Sequence, residues 1–280
     1  MDQTAERTIP IDAGSIHVRW WGPADPVETV ILLHGGPGAS ERYMEPVVPF
    51  VDNGQRRIVS YDQRGTGQSR CDSADPADFG LDAQAADLTR VIDSLAVGPV
   101  HLLGHSWGGI VAMDYAARRG DRIASMIAVG SAPPNHRDLE IAQSSMTARI
   151  EALQEQGMIA AEVPDGGTEG LRAILPMYFW DPTLRMPEEA VQALEVTQSV
   201  NERTWAAIEG FDLTDQLRGY RGRALLIFGE ADPLGLPASE ATRAALTNSQ
   251  LSYQILERCG HFPWFECPAR FRSVLDEFLS

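Results

Sequence analysis

Short apolar runs alternate along the chain with stretches in which apolar residues recur every three or four positions. The apolar runs predict strands at about residues 8–21, 28–34, 56–61, 99–104, 123–130, 223–229 and 250–256. The other spacing predicts helices between most of these strands, for example over Leu81 to Val97 and Pro268 to Leu279. Because such alternation is typical of a mostly parallel sheet with helices on both faces, the pattern predicts an α/β fold.

The alternation stops over residues 134–212 (the 134–212 segment). The strand signals vanish there and helical patterns take over, interrupted by Pro164-Asp165-Gly166-Gly167. We therefore expect residues 1–133 and 213–280 to form the core and the 134–212 segment to form an inserted helical cap. One sizeable core with one insertion also suits a chain of 280 residues that is 44% hydrophobic.

One turn between a predicted strand and a predicted helix carries the motif Gly104-His105-Ser106-Trp107-Gly108-Gly109. The run Pro99 to Leu103 before it is typical of a buried strand, and Ile110 to Ala117 after it is typical of a helix. Small residues let the chain reverse sharply, which exposes the Ser106 hydroxyl and leaves the next backbone N–H free to face an oxyanion. Glycine and serine also occur in ordinary loops, but this context makes Ser106 our candidate nucleophile.

A serine hydroxyl needs a base at neutral pH, and the base needs an acid that holds its tautomer. His261 lies in a Gly/Pro loop directly after the predicted strand 250–256, a position where histidines are often functional. Asp232 follows the apolar run Ala224 to Gly229 and should lie at the carboxyl end of the sheet. The chain order Ser106, Asp232, His261 therefore predicts a catalytic triad.

Other residues compete for the same roles. His136 is the one serious rival base. Asp138 follows a predicted strand and could reach His261 from there. Glu230 lies two residues before Asp232 and competes for the role of the acid, or else caps the turn.

A second glycine-rich turn, His34-Gly35-Gly36-Pro37-Gly38, directly follows an apolar strand pattern. Glycines let the backbone approach a substrate closely and present N–H groups to it. Because Pro37 removes one donor, the N–H of Gly36 paired with that of Trp107 is our candidate oxyanion hole, with a plain Gly/Pro turn as the alternative. The loop is a poor phosphate site, since it lacks G-x-x-x-x-G-K-[ST] and the chain contains no lysine.

Three motifs occur together in this chain: His34 to Gly38, Tyr61-Asp62-Gln63-Arg64-Gly65-Thr66-Gly67-Gln68-Ser69, and Gly104 to Gly109. Together they resemble the proline iminopeptidase branch of the α/β-hydrolase family. The resemblance extends through Gly229 to Asp232 and Gly260-His261, so it covers nearly the whole chain.

The resemblance implies an α/β-hydrolase fold, with a mostly parallel sheet flanked by helices and an inserted helical cap. It implies a serine hydrolase that uses Ser106, Asp232 and His261, with Gly36 and Trp107 as backbone oxyanion donors. It also implies that the Asp-Gln-Arg-Gly segment is a structural loop beside the site. For that reason neither its aspartate nor its arginine, Asp62 and Arg64, is counted as catalytic.

The sequence departs from that family where the substrate would be recognised. Proline iminopeptidases resemble one another in holding the substrate's free amino terminus with cap glutamates and commonly an acidic residue directly after the catalytic aspartate. Here that residue is Pro233, and the nearest match to the family's cap motif, Asn201-Glu202-Arg203-Thr204-Trp205, is shortened. Glu202 and Glu209 remain candidates for substrate binding, with solvated helix-face charges as the alternative.

The 134–212 segment is both acidic and aromatic. It holds 14 Asp and Glu residues against 5 Arg residues, a charge that could attract a cationic substrate or could serve solubility alone. Aromatic side chains at this density are usually core residues. Some should nevertheless line the pocket of a lid over a serine site, and Trp180 and Trp205 are the candidates.

Composition limits the partners. A net charge of −16 argues against nucleic acid, because phosphate contacts need clustered Lys and Arg. The chain shows no run of about 18 apolar residues and no signal-peptide pattern, so we expect no membrane contact and a cytoplasmic location. Cys71, Cys259 and Cys267 lack metal-ligand spacing and are expected to be reduced. We expect no metal and no other cofactor, and a small molecule or short peptide as the substrate.

These features predict a serine hydrolase that cleaves an ester, lactone or amide bond of a small, partly apolar molecule through an acyl-enzyme intermediate. An aminopeptidase of the proline iminopeptidase type is the main alternative. A non-catalytic binding module should have lost a triad residue or an oxyanion glycine, and all are present. An epoxide hydrolase or dehalogenase would need Asp at the position of Ser106.

Overall fold

The structure is a computed structural model that describes residues 4–280. Its strands are β1 (Thr4–Ile11), β2 (Gly14–Trp21), β3 (Glu28–Leu33), β4 (Arg56–Tyr61), β5 (Arg70–Cys71), β6 (Val100–His105), β7 (Ser125–Val129), β8 (Arg223–Gly229) and β9 (Gln250–Leu256). Its α-helices are α1 (Val48–Val51), α2 (Leu81–Leu95), α3 (Trp107–Arg119), α4 (His136–Glu155), α5 (Gly167–Ala173), α6 (Glu188–Ala193), α7 (Gln198–Ala207), α8 (Thr214–Arg218), α9 (Gly235–Ala245), α10 (Pro263–Glu266) and α11 (Pro268–Leu279). Short 3₁₀ helices span Glu41–Val47, Pro76–Phe79, Gly120–Arg122 and Leu175–Tyr178.

The strands form one sheet in the order β1-β2-β4-β3-β6-β7-β8-β9, with β5 paired to β2. β1, β2 and β4 pair antiparallel, and every pair from β4 through β3 to β9 is parallel. The carboxyl ends of the parallel strands therefore meet at one edge of the sheet. The predicted mostly parallel α/β fold is confirmed.

β3 illustrates why the central strands are almost continuously apolar. Val30 and Leu32 belong to the apolar cluster on one face of the sheet, which includes the buried residues of α11. Ile31 and Leu33 belong to the cluster on the other face, with the buried residues of α2 and α3. All four side chains are buried, as expected for a parallel strand covered on both faces.

The prediction of one strand over residues 8–21 is wrong, because β1 and β2 form an antiparallel hairpin there. Ile9 pairs with Ile16 and Ile11 pairs with Gly14, so the apolar positions of the two strands fall in register across the turn. The apolar alternation changes across the turn from odd positions, Ile9 and Ile11, to even positions, Ile16 and Val18, and the prediction missed this change of phase. The two-residue strand β5 was also not predicted.

The 134–212 segment lies between β7 and β8 and carries helices α4 to α7. Its two ends lie side by side, because Asn135 and Asp212 form an antiparallel bridge and the Leu213 N–H donates to the Pro134 carbonyl oxygen at 2.9 Å. The chain thus leaves and re-enters the sheet layer at one place. None of the helices in residues 4–280 has both the length and the apolar character that crossing a membrane requires.

Candidate active site

Ser106 occupies the sharp turn between β6 and α3, with φ of 56° and ψ of −121°. A non-glycine residue at this positive φ is strained and must be held by its surroundings. The holding contacts are backbone hydrogen bonds: the Ser106 N–H donates to the Val129 oxygen at 3.0 Å, and its carbonyl accepts from the Gly109 N–H at 2.9 Å. Ser106 is thereby fixed at the edge of the sheet, on the wall of a cavity.

Two glycines of the motif permit this turn. A Cβ at Gly104 would collide with the Gly108 carbonyl oxygen, because strand and helix approach each other so closely. A Cβ at Gly108 would collide with the Leu33 carbonyl oxygen of β3. The glycines thus allow α3 to begin directly against the sheet.

His261 and Asp232 meet at the same edge of the sheet. Asp232 follows β8, and its Oδ2 lies 2.9 Å from His261 Nδ1 in a buried pair. Its other oxygen, Oδ1, accepts from the Leu234 N–H at 3.0 Å. Because a carboxylate only accepts, the His261 proton lies on Nδ1 and the unprotonated Nε2 is left as the basic nitrogen.

Three further hydrogen bonds hold the His261 loop, and none of them was predicted. The His261 N–H donates to the Tyr178 carbonyl oxygen at 2.7 Å. Glu266 accepts from the Gly260 N–H at 2.6 Å and from the Trp180 N–H at 2.7 Å, which ties the loop to the 134–212 segment. Burial outweighs these donors and raises the pKa of Glu266 to about 7. The place of Glu266 five residues after His261 was the one sequence signal for this brace.

Gln63 of the Asp-Gln-Arg-Gly loop joins the two glycine-rich turns. Its backbone N–H donates to His34 Nε2 at 3.0 Å, and its side-chain amide donates to the His34 carbonyl oxygen at 2.8 Å. The indole Nε1–H of Trp107 donates to Gln63 Oε1 at 2.7 Å. Arg64 points elsewhere and pairs with Asp87 at 2.8 Å. The loop therefore acts as a brace between the turns that carry Gly36 and Trp107.

Two cavities meet at Ser106. The larger cavity has a volume of about 330 Å³ and the smaller cavity about 180 Å³, and both are lined by Gly36, Ser106, Tyr178 and His261. Trp107 lines only the smaller one. Since Trp107 is the first residue of α3, its N–H has no partner within the helix. Both oxyanion candidates thus lie beside the serine and the histidine.

The walls of both cavities are largely apolar. The 134–212 segment contributes these apolar side chains to the larger cavity: Ile150, Val163, Leu171, Ile174, Leu194 and Val196. It contributes Leu139, Met146 and Trp205 to the smaller cavity. Among residues 4–280, no Asp or Glu lines either cavity.

The structure brings one of the four substrate-binding candidates to a cavity. Trp205 lines the smaller cavity, with its ring centroid 5.6 Å from that of Trp107. Trp180 is 45% exposed and packs against Arg258 outside both cavities. Glu202 lies outside as well.

The two glutamates are solvated helix-face residues in this structure. Glu202 accepts from Gln198 one turn earlier on α7, at 2.9 Å, and Glu209 is exposed just after the same helix. Neither is among the residues that line the cavities at Ser106. The sequence could not show which helix face turns inward, because tertiary packing decides it.

The rival residues lie away from the two cavities. His136 begins α4 and is 3.7 Å from Glu140, with a partly exposed side chain. Asp138 accepts from the Asn135 amide at 2.7 Å in the first turn of the same helix. Glu230 accepts from the Arg258 N–H at 3.0 Å and so braces the turn before Asp232.

Neither the cysteines nor the possible metal ligands among residues 4–280 form a second reactive site. The Sγ atoms of Cys259 and Cys267 are 2.7 Å apart. A hydrogen bond shared between the two thiols, together with burial, raises the pKa of the Cys259 thiol, which keeps it protonated. Cys71 lies apart, on β5. Within residues 4–280, His, Cys, Asp and Glu form no group of three or more that could hold a metal ion.

Comparison with known proteins fits this geometry. Residues 30–274, which span the sheet from β3 to α11, match the alpha/beta hydrolase family. The chain belongs to the alpha/beta hydrolase family. A proline iminopeptidase of Lactobacillus delbrueckii subsp. bulgaricus is 26% identical to this alpha/beta hydrolase over 299 residues, an alignment that covers 100% of this chain and 99% of the relative.

Two solved structures show how widely this hydrolase shares its fold. The proline iminopeptidase of Mycobacterium smegmatis matches it with a TM-score of 0.79 at 20% identity, over 98% of this chain and 97% of that one. Carboxylesterase CesB (YbfK) of Bacillus subtilis matches with a TM-score of 0.72 at 20% identity, over 99% of this chain and 92% of that one. The resemblance to the proline iminopeptidase branch is confirmed.

Proposed function

We propose that this alpha/beta hydrolase is a serine hydrolase that uses Ser106 as nucleophile, His261 as base and Asp232 as the acid. The observation that carries the proposal is the meeting of Ser106 and His261 on one cavity wall, with His261 Nδ1 held 2.9 Å from Asp232 Oδ2. Strain at Ser106 supports it, since non-glycine residues at positive φ persist where the surroundings over-determine them and cluster at active sites.

The chemistry follows from these roles. Ser106 Oγ attacks the substrate carbonyl carbon while His261 Nε2 takes the hydroxyl proton. The N–H groups of Gly36 and Trp107 stabilise the oxyanion, and Asp232 stabilises the imidazolium that forms. His261 then protonates the leaving group, which departs and leaves the acyl group on Ser106. Water then attacks the acyl carbon while His261 takes its proton, the bond to Ser106 Oγ breaks, and His261 returns the proton to Ser106 as the acid product is released.

We propose an ester or lactone of a small, partly apolar molecule as the substrate. A charged substrate amine is held best in a buried site by a carboxylate. Among the described residues none of the cavity-lining side chains is acidic, and the residue after Asp232 is Pro233. A cavity of about 330 Å³ lies at the lower end of the usual range for small-ligand sites.

Proline iminopeptidase activity is the second candidate. It is favoured by the similarity to the Lactobacillus delbrueckii subsp. bulgaricus enzyme, which extends over the whole chain. In this case the substrate's amine would have to be held by backbone carbonyls or by neutral side chains such as Asn201, which lines the larger cavity.

We also propose that the 134–212 segment is a cap domain on a core formed by residues 1–133 and 213–280. Its ends close on each other at Asn135 and Asp212, and it supplies most of the larger cavity's apolar wall. A cap of this kind excludes water from the reacting atoms and selects the substrate.

A kinetic panel on one enzyme preparation tests the substrate class. Short-chain p-nitrophenyl esters, a γ-lactone and proline p-nitroanilide are compared by kcat/KM, with Ser106→Ala as the background control. We expect the esters or the lactone to exceed the proline arylamide by more than tenfold. A preference of more than tenfold for the arylamide, about 1.4 kcal/mol, would establish the aminopeptidase instead.

A further inference from the structure

A chain of buried hydrogen bonds runs from the oxyanion loop to the His261 loop through two residues that the proposed reaction does not use. The Gly35 N–H donates to the Tyr43 hydroxyl oxygen. The Tyr43 hydroxyl lies 2.9 Å from His105 Nδ1, and His105 Nε2 lies 2.9 Å from the His261 carbonyl oxygen.

The two ends of this chain, together with a neutral His105, fix the protons in it. A backbone N–H can only donate and a backbone carbonyl can only accept. Tyr43 therefore accepts from Gly35, and His105 Nε2 carries a proton that it donates to the His261 carbonyl. In a neutral imidazole this leaves Nδ1 unprotonated, so Tyr43 donates its hydroxyl proton to Nδ1. A neutral His105 can satisfy all three bonds in this one tautomer only.

The surroundings maintain that state. Burial, followed by the charge of His261, lowers the pKa of His105 well below its usual range, so it stays neutral at physiological pH. Burial also raises the pKa of Tyr43, which keeps its hydroxyl proton. The edge of the Trp264 ring meets the His105 ring with centroids 4.8 Å apart, and Phe262 packs beside it at 5.3 Å. Tyr43 and His105 therefore form a fixed connector between the oxyanion loop and the His261 loop.

The residues in this hydrogen-bond chain adjoin residues of the proposed chemistry. Gly35 precedes the oxyanion candidate Gly36, and His105 precedes Ser106. We propose that Tyr43 and His105 are positioning residues that fix the backbone of His261 and of the oxyanion loop at one spacing around Ser106. The inference rests on the proposed serine hydrolase, because Tyr43 and His105 act only through the reaction of Ser106. Neither residue takes part in a bond-breaking step.

A misplacement of catalytic groups by about 1 Å lowers rates by about a hundredfold. Tyr43 and His105 also line the larger cavity, so loss of the connector should slow the Ser106 reaction by more than any change in substrate binding accounts for. A purely structural role predicts a different outcome, in which the melting temperature falls and the reactivity of the folded enzyme stays the same.

The test measures the rate constant for labelling of Ser106 by a fluorophosphonate probe, which needs no knowledge of the substrate. Ser106 Oγ attacks phosphorus, fluoride leaves, and the serine proton passes to His261. We expect His105→Phe, which keeps an aromatic ring and removes both ring nitrogens, to label ten to a hundred times more slowly than wild type. Tyr43→Phe should slow labelling about tenfold, and the double variant should be no slower than His105→Phe because both act as one unit.

Two further variants separate positioning from packing. The amide nitrogen of His105→Gln can replace Nε2 as a donor to the His261 carbonyl, so this variant should recover part of the lost rate. Tyr61→Phe is the matched control, since Tyr61 is also a buried tyrosine and its hydroxyl has no hydrogen-bond partner among residues 4–280. It should label within twofold of wild type.

The ring nitrogens of His105 supply a readout that does not depend on folding stability. In ¹⁵N NMR of wild type, with the His105→Gln spectrum for assignment, His105 should show an unprotonated Nδ1 and a protonated Nε2 from pH 5 to 8. Labelling rates within twofold of wild type for folded Tyr43→Phe and His105→Phe, or a protonated Nδ1, would overturn the connector. Failure of wild type to label at Ser106 would instead refute the serine hydrolase itself.

Discussion

Trp107 donates its indole N–H to the Gln63 side chain, so an oxyanion candidate and the Asp-Gln-Arg-Gly loop are joined by one buried hydrogen bond of 2.7 Å. Gln63 also donates to the His34 carbonyl oxygen at 2.8 Å. The resemblance implied a structural loop beside the site. The contacts show what this loop does: it fixes the spacing between the turns that carry Gly36 and Trp107.

Gln63→Leu tests whether the Gln63 side chain holds these two turns together. The variant leaves the Trp107 indole N–H and the His34 carbonyl buried without partners, and each such group costs about 1–3 kcal/mol. We expect the free energy of unfolding in urea to fall by about 2–6 kcal/mol, and we expect kcat to fall as well. Gln84→Leu is the control, because Gln84 is equally buried and its Oε1 has no partner in the described part of the chain. Equal losses in both variants would contradict the brace.

Ser106 offers a test in which reactivity and stability diverge. Ser106→Ala should lower turnover by about 10⁴–10⁶ and abolish fluorophosphonate labelling, with a melting temperature close to that of wild type. Ser106→Gly should be as inactive but should melt at a higher temperature than Ser106→Ala, because glycine accepts φ of 56° without strain. Turnover retained by purified Ser106→Ala would refute the nucleophile.

Asp232→Asn tests the acid of the proposed triad. An Asn amide at this position can donate to His261 Nδ1 and so stabilise the wrong tautomer, which should lower kcat by about 10⁴. Asp138→Asn serves as the comparison, since Asp138 lies in the first turn of α4 and its change should leave kcat within about twofold. The reverse ranking would assign the role of the acid to Asp138 instead.

Glu266 should make stability depend on pH. Burial raises the pKa of Glu266 from 4.5 to about 7, so the folded protein binds its proton more tightly than the unfolded chain does. The stabilisation is complete below pH 4.5 and is lost as the pH rises through 7. We therefore expect the melting temperature of wild type to fall more between pH 5 and pH 8 than that of Glu266→Gln.

Other buried carboxyls titrate equally in both proteins of that comparison, so the difference between the two curves reports Glu266. The exposed Glu257 supplies the control, because Glu257→Gln should follow the wild-type curve. Parallel curves for wild type and Glu266→Gln would show that the Glu266 carboxyl stays ionised across this range.

The parts of the site that sequence could predict are those set by strand ends. Ser106, Asp232 and His261 follow β6, β8 and β9, and the carboxyl ends of parallel strands meet at one edge. Local patterns of apolar residues and glycines are enough to identify these positions. The helix over Pro268 to Leu279 was likewise confirmed, because its start and its apolar spacing are local.

The hydrogen bonds that join the loops of the site could not be predicted, because the residues that form them are distant in sequence. Tyr43 lies 62 residues from His105, and Gln63 lies 44 residues from Trp107. Nothing in the local pattern around Tyr43 distinguishes it from a core aromatic. The inward face of α7 could not be predicted for the same reason. Trp205 faces a cavity and Glu202 faces solvent, and only tertiary packing determines which of the two side chains turns inward.

The two cavities at Ser106 predict that each arm of an ester has its own size limit. Ile174 lines only the larger cavity and Met146 only the smaller, so Ile174→Trp and Met146→Trp should each fill one of them. Excluding two methylenes removes about 1.6 kcal/mol of transfer free energy, roughly fifteenfold in kcat/KM.

The measurement uses two ester series. One series varies the acyl chain of p-nitrophenyl esters from acetate to octanoate. The other series varies the alcohol of acetate esters from methanol to octanol, and its hydrolysis is measured by titrating the acid that is released. We expect Ile174→Trp to lower kcat/KM at least tenfold for the long members of one series only, and Met146→Trp to do so for the other, with the shortest esters within threefold of wild type. If both variants curtailed the same series, the two cavities would serve one arm of the substrate. If neither had an effect, the ester would bind outside them.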